Sequence, residues 1–403
     1  MNRWRRDYSS VLLELIEYEK HRQEITVELI ASENFVSEKV LAALGSCLTN
    51  KYAEGYPHCS HYPGGNKGRY YGGCHVVDEV EDFTRYLWRK IFKTDYHVNV
   101  QPHSGSSANM AAYETLLQHG DTIMGMELSN GGHLSHGSPA SFSGKWYNFV
   151  PYGVDDKGFI DYDMVDRIAS ECKPKAIVVG ASSYSRTIDY KVFRSICDKH
   201  NCYMIVDMAH IAGLIATGYH NSPFDIADII TTTTHKTLRG PRGGMVFCKP
   251  EYAKRLDSVV FPMLQGGPIM NIIAAKGVAA GEAMTPAYKK YIHNVRNNAE
   301  AMAKEFMSMG FNVVSGGTDN HMFIVDLSNT NVSGRTVQTV LDKEDITLNC
   351  NAIPNDKRSV FQTSGIRIGT PAMTTKGWNI DDFCKCANRI VDIIRQIPGY
   401  EGP

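Results

Sequence analysis

No stretch of the chain approaches the roughly 18 consecutive apolar residues that a membrane-spanning helix needs, so no span is expected. Charge of one sign is missing too. Forty-two basic against 43 acidic residues leave a formal net charge of −1, and no basic stripe offsets it, which sets nucleic acid aside as a partner. The ten cysteines are scattered through 403 residues instead of framing a small core, so reduced thiols and a cytoplasmic location are expected. After Arg3, Arg5 and Arg6 the amphipathic run Val11 to Ile16 has neither the apolar core nor the small-residue cleavage site of a secretory signal. No metal site is expected. Cys384 and Cys386 are too close for the usual spacing and sit in a helix-periodic stretch, while His58, Cys59 and His61 lack a second cluster at zinc spacing. Internal repeats and low-complexity tracts are likewise absent.

What is present is an alternation of helical stretches with short apolar runs, at a length that exceeds one core and predicts two closely packed domains. Residues 1–50 read as an N-terminal arm, 51–277 as a large domain and 278–403 as a smaller α+β domain. In the large domain the runs Asp121–Gly125, Ala176–Gly180, Tyr203–Asp207, Ile229–Thr231 and Met245–Phe247 predict strands of a mostly parallel sheet covered on both faces. The smaller domain is read as a long helical segment from Ile272 to Met309, strands at Phe323–Leu327 and Ile346–Leu348, a helix at Gly334–Lys343 and a terminal helix.

The chemistry centres on Thr231–Thr237, where Lys236 follows His235 and a run of threonines, with Arg239 and Arg242 just behind. A lysine whose protonated form is disfavoured by neighbouring arginines can be a reactive amine that captures an aldehyde. Upstream, the apolar run Met204–Val206 ends in Asp207. Pyridoxal phosphate uses such a pair, a lysine for the Schiff base and a carboxylate that keeps the pyridine nitrogen protonated. Ser104, Gly105 and Ser106 precede an Ala-rich helix, whose start offers hydroxyls and free N–H groups to a phosphate. The alternative for that segment alone is a capped helix behind a glycine turn. The loop Gly131–Gly137 carries His133 and His136, either able to stack on a flat ring. Arg367 lies in an apolar-flanked strand, where it needs a partner, either a substrate carboxylate or an internal acid. Tyr52, Tyr56, Tyr70 and Tyr71, with Glu54, crowd loops that have little to bury, as at an interface or a shared site.

Eight segments together, Leu29–Asn34, Lys51–Pro57, Arg69–Cys74, Gly131–Gly137, Val206–Leu214, Thr231–Gly244, Gln265–Pro268 and Thr363–Pro371, resemble the serine (glycine) hydroxymethyltransferase family across nearly the whole chain. The resemblance implies an α/β, fold-type I pyridoxal phosphate enzyme. Its large domain would hold a mostly parallel, mixed seven-stranded sheet beside a smaller α+β C-terminal domain. It would move the hydroxymethyl carbon of serine to tetrahydrofolate, giving glycine and 5,10-methylenetetrahydrofolate.

By the same resemblance Lys236 forms the Schiff base, Asp207 pairs the pyridine nitrogen, His133 stacks on the ring, and Ser182 and His210 contact the phenolic oxygen. Ser104, Gly105 and Ser106 hold the phosphate, with His235 beside the lysine and with Tyr52, Gly266 and Gly267 contributed by a second subunit. The expected assembly is therefore a homodimer with shared sites, or a tetramer built from it. Arg367 and Ser32 match the carboxylate-binding positions. Glu54 and Tyr71 reach the serine side chain from the partner, Glu54 as the acid–base group, which works best with a pKa raised toward neutrality. Leu128, Gly132, Leu134, Asn351 and Phe361 fall where the family binds the pteridine. Two departures stand out: His58 to Gly68 is longer than the family pattern, and Asn271 replaces a common histidine. The longer loop keeps open a folate-independent threonine aldolase or transaldolase, or an α-methylserine hydroxymethyltransferase, on the same scaffold. Intact Lys236, Asp207, Arg367 and Glu54 count against a catalytically silent binding protein.

Overall fold

The short β-branched and apolar runs become the strands that position the site. The structure, a computed structural model, describes residues 8–57 and 68–403. The basic cluster Arg3, Arg5 and Arg6, and the extra loop from His58 to Lys67, lie outside the described residues. In chain order the strands are β1 Val27–Glu28, β2 His97–Asn99, β3 Thr122–Met126, β4 Asn148–Tyr152, β5 Ala176–Gly180, β6 Tyr203–Asp207, β7 Ile229–Thr233, β8 Gly244–Cys248, β9 Asn312–Val313, β10 Met322–Asp326, β11 Ile346–Thr347, β12 Asn349–Asn351 and β13 Gly365–Gly369.

Seven of them form one sheet in the order β2-β8-β7-β6-β5-β3-β4. All its neighbours are parallel except those of β8, which runs antiparallel to both β7 and β2. Every residue of β5, β7 and β8 is buried, as expected of strands covered by helices on both faces. The register Gly180–Asp207–Thr231 brings the C-terminal ends of β5, β6 and β7 level, so that Asp207 emerges where β7 runs on toward Lys236. That is the crevice beyond the strand ends where open parallel sheets bind ligands.

A second sheet, β12-β13-β10-β9, is antiparallel and packs on a core that includes Phe306, Phe323, Ile366, Ile368, Phe383 and Ile390. Leu29 belongs to this core, because β1 pairs in parallel with β11, Val27 opposite Ile346. Beside it, the N–H of Gly369 donates to the carbonyl of Leu29 at 2.8 Å. Gly369 has to be glycine, since a Cβ there would meet Ala31 Cα at 2.4 Å. This close approach holds Ala31, the residue before Ser32, against the strand that carries Arg367.

The two strands at the rims of the large sheet, β2 and β4, are absent from the sequence reading. β2 has three residues and no alternation, and β4 contains Pro151, which an edge strand tolerates because one side of it carries no ladder. The expected continuous helix from Ile272 to Met309 is two helices, Met270–Ala283 and Pro286–Ser308. Thr285 breaks it, accepting the N–H of Tyr288 at 3.2 Å, with Pro286 in the first turn of the new helix. The helix Tyr8–Ile25 buries only Val11, so the apolar side of its amphipathic pattern, Leu12, Leu13 and Ile16, is exposed in the single chain. Among the described residues no helix is long and apolar enough to cross a membrane.

Candidate active site

Lys236 sits in the turn after β7, almost fully buried. The turn is tied down on each side. The Thr234 hydroxyl donates to the Pro241 carbonyl at 2.6 Å, and the Thr237 hydroxyl donates to the His210 carbonyl at 2.9 Å. Asn34 adds a third tie, donating from Nδ2 to the Lys236 carbonyl at 3.0 Å and to the Tyr291 hydroxyl at 2.7 Å. Burial pulls the Lys236 amine down to about 8; Asp207 pulls the other way, and Arg367 and Arg242 push it down further. The pair of arginines is thus not the one expected, because Arg239 turns away and lies 4.8 Å over the Tyr291 ring.

Asp207, at the end of β6, is part-buried, and its partial removal from water works against its charge. The hydrogen bond from His136 and the nearby Lys236 outweigh that cost and hold the carboxyl well below the usual range, so it is an anion at neutral pH. Its Oδ2 accepts from His136 Nε2 at 3.0 Å and from Asn109 Nδ2 at 2.9 Å, and its Oδ1 accepts from the Ala209 N–H at 3.0 Å. His136 Nδ1 accepts the N–H of His133 at 3.2 Å, which leaves the ring proton on Nε2 for Asp207. Asn109 is aligned by Thr231, whose hydroxyl donates to Asn109 Oδ1 at 2.6 Å. Sequence reasoning had no role for Asn109 and offered His136 only as a possible stacking ring. Their signal was available, since both fall inside motifs that flank the expected site.

His133 remains part-exposed beside Asp207, with Nδ1 2.7 Å from the Ser135 hydroxyl, and burial lowers it to about 4, so the ring is neutral. A neutral imidazole next to the carboxylate is suited to cover an aromatic face.

Ser104 caps the helix Gly105–Leu116 in a capping box with Ser107, as the capped-helix alternative holds. The N–H groups of Gly105 and Ser106 open the same helix start. Beside them the Thr233 hydroxyl is buried without a partner among the described residues, and a Cβ on Gly105 would meet the Thr233 methyl at 2.7 Å. His235 Nδ1 is buried and unpartnered as well, its ring lowered to about 3 by burial and by Arg242 and Lys236. Unpaired buried polar atoms beside an open helix start fit a bound phosphate group.

Arg367, central in β13, donates from Nε to Asn349 Oδ1 at 3.0 Å and from Nη1 to the Ser182 carbonyl at 2.9 Å. Among the described residues it has no carboxylate partner, so the internal salt bridge is not found. Burial alone takes the guanidinium down to about 10. Ser182 in turn contacts His210, Oγ to Nε2 at 3.2 Å. Lys236, Asp207, His133, Ser182, His210 and Arg367 therefore lie together at the carboxyl edge of the sheet, and Ala31, the residue before Ser32, meets Gly369 close to Arg367.

Tyr52, Glu54, Tyr71, Gly266 and Gly267 gather elsewhere. The Tyr52 hydroxyl lies 3.3 Å from Glu54 Oε1, the Tyr52 and Tyr71 rings meet edge-on at 5.0 Å, and Tyr52 stands against Gly267. Among the described residues no hydrogen bond joins this cluster to Lys236, Asp207 or Arg367. Leu128, Gly132 and Leu134 share the loop around His133, whereas Asn351 and Phe361 belong to the second sheet and its following loop, Phe361 being 76% exposed. Asn271 spends its amide on the Leu44 carbonyl, at 2.7 Å.

A seven-stranded α/β sheet with a buried lysine and an anionic aspartate at its carboxyl edge, and a smaller antiparallel sheet supplying an arginine, defines the fold-type I class of pyridoxal phosphate enzymes. The family model described as serine hydroxymethyltransferase matches residues 6–390, and the chain belongs to that family. It is a one-carbon transferase that exchanges the hydroxymethyl carbon of serine with tetrahydrofolate to give glycine. The folate-independent alternatives are not favoured.

Proposed function

We propose that the cleft around Lys236 is where pyridoxal phosphate and serine meet. The observation that carries this reading is a buried amine lowered to about 8 beside an anionic carboxylate, with an arginine a short way off that has no acid partner among the described residues. Lys236 takes the aldehyde of the cofactor, and its lowered value leaves a sizeable share of free amine near neutral pH. Asp207, held by Asn109 and His136, keeps the proton on the pyridine nitrogen. Bound there, the cofactor supplies the electron sink for cleavage at the substrate α-carbon. His133 covers the ring, Ser182 and His210 face the phenolic oxygen, and Ser104, Gly105 and Ser106 hold the phosphate with His235 close by. Arg367 offers its fork to the substrate carboxylate with help from Ser32.

The remaining groups come from a second copy in this reading. Tyr52, Gly266 and Gly267 complete the partner's phosphate site, Tyr71 steadies the serine side chain, and Glu54 moves the proton of the serine hydroxyl. Leu128, Gly132, Leu134, Asn351 and Phe361 line the entry for tetrahydrofolate. Residues 1–50 act as the arm of each subunit, 51–277 as the cofactor-binding domain and 278–403 as the small domain, in a cytoplasmic homodimer or a tetramer of two such pairs. Support for the sharing is the exposure of Tyr52 and Tyr71 and of the helix Tyr8–Ile25 in the single chain.

Mixing two inactive variants tests the reading. Lys236→Ala and Glu54→Gln homodimers each lack one necessary group at both sites, whereas a heterodimer has one site that lacks neither. Activity should return on exchange of subunits, and its absence in verified heterodimers would place Lys236 and Glu54 at the same subunit's site.

A further inference from the structure

A second buried lysine lies beside the segment that leads to Ser104. Lys276, in the helix Met270–Ala283, is 1% exposed, and its Nζ donates to three backbone carbonyls, those of Val100 at 2.6 Å, Gly244 at 2.7 Å and Pro102 at 3.1 Å. Among the described residues it forms no ion pair, and Glu81, the acid whose charge reaches it, is spent on Arg69 at 2.7 Å and on Gln101 at 3.0 Å. Burial lowers Lys276 to about 7 against the pull of Glu81. A neutral amine has two N–H groups and would turn its lone pair on the third carbonyl, so the geometry is that of the ammonium.

The three carbonyls belong to the strand ends that set the helix start. Val100 and Pro102 flank Gln101 between β2 and Ser104, and Gly244 opens β8, where its N–H donates to the Pro102 carbonyl at 3.0 Å. A Cβ on Gly244 would run into the Ser104 carbonyl, and one on Gly243 would meet Lys276 Cε at 2.5 Å, so the ammonium, the strand start and the Ser104 cap are packed without slack. The charge is felt further on. Burial lowers both His103, next to Ser104, and His235, next to Lys236, and Lys276 adds to the shift of each. Carbonyls that converge on a monovalent cation replace its hydration shell, and here the cation is tethered to a helix.

We propose that Lys276 is a positioning residue for the cofactor's phosphate: as a tethered monovalent cation it draws the Val100, Pro102 and Gly244 carbonyls together, and so sets where Ser104, Gly105 and Ser106 present their donors. The inference rests on the reading that the phosphate lies at that helix start. Lys276 has no acid of its own in contact, so a phosphate dianion at the helix start meets its charge through one layer of backbone, in a setting where water does little to screen the attraction. The lysine thus gives the phosphate site a cation that never touches the phosphate.

Pyridoxal, which has the aldehyde and lacks the phosphate, separates this role from general support of the fold. In Lys276→Met, which keeps the stem and removes the charge, the Kd of pyridoxal phosphate, read from the absorbance of the bound cofactor, should rise about tenfold, while that of pyridoxal stays as in the unmutated protein. Lys276→Ala should regain most of its affinity for pyridoxal phosphate in potassium or methylammonium chloride, and none in choline chloride at equal ionic strength. An unchanged Kd in folded Lys276→Met overturns the proposal, as does an equal loss for pyridoxal. So does the absence of recovery with both small cations in Lys276→Ala. Whether or not the variants fold, nitrogen-15 NMR of lysine-labelled protein loaded with pyridoxal phosphate should find Lys276 Nζ as an ammonium, and a neutral amine there overturns the proposal. Failure of the underlying reading is seen separately, as a Kd for pyridoxal phosphate that Ser106→Ala leaves unchanged.

Discussion

The groups around Lys236 and those around Glu54 are built on opposite terms. Lys236, His210 and Arg367 are buried and Asp207 is part-buried, and as a group they are tied by hydrogen bonds to several segments of their own chain. Tyr52, Glu54 and Tyr71 touch mainly one another on an exposed loop surface. The difference teaches where each kind of chemistry has to be finished. Charges that must be shifted far from their ordinary state need a dry, rigid setting, whereas in the proposed reading a group that hands a proton to the substrate side chain waits for a second subunit to enclose it.

Removing the centre of the buried group should have the largest effect. Lys236→Ala is expected to lose covalent capture of pyridoxal phosphate and to reduce turnover on the order of 10⁴-fold, read from the absorbance of the bound cofactor and from glycine formation. Glu54→Gln should leave that absorbance intact and lower kcat for serine by about 10²-fold or more, the usual share of a positioned acid–base group. Unchanged turnover would remove Glu54 from the reaction and erase the contrast. Arg367→Lys keeps the charge and loses the fork, so KM for serine should rise about tenfold to a hundredfold, matching a lost charge-assisted hydrogen bond of about 1.5–3 kcal/mol.

Acid should separate the two regions most gently. His133, His235 and His321 are held neutral near 4, 3 and 3 against an ordinary 6.5. An unfolded chain binds protons at these rings below pH 6.5 while the folded chain does not. Stability is therefore full above that pH and is lost as pH falls toward 4 and 3, by up to about 1.4 kcal/mol per ring for each unit. Thermal melts at pH 7 and pH 5.5 would show this.

Much of the buried region was legible in the sequence because local chemistry and strand ends coincide there. An apolar run that stops at Asp207, and a polar turn around Lys236 after another run, already place acid and amine on one sheet edge. The identity of the arginines near Lys236 was not legible. Arg239 follows in sequence but turns to Tyr291, and Arg367 arrives from β13, more than a hundred residues on, through packing of two sheets that no local pattern describes. Asn109 and His136 were similarly hidden, since their value lies in the angle at which they meet Asp207. The edge strand β4 was obscured by Pro151, and the break at Thr285 by an apolar pattern that continues across it.

The pairing of β1 with β11 also dictates an order of events. Val27 meets Ile346, and Asn34 joins the Lys236 carbonyl to Thr375, whose hydroxyl donates to Asn34 Oδ1 at 2.7 Å. Contacts so distant along the chain are made late in folding, because the loop they close must be ordered first. The segment that holds Val27 and Asn34 is made long before its partners, and it has no strand to join until residues near 346 and 375 have been made. During synthesis it must wait unpaired, and the turn that carries Lys236 gets its Asn34 tie only when segments so distant in sequence have met. A chain made only as far as β10 therefore carries the lysine and the aspartate while the segment around Asn34 still lacks both its strand and its tie to Thr375.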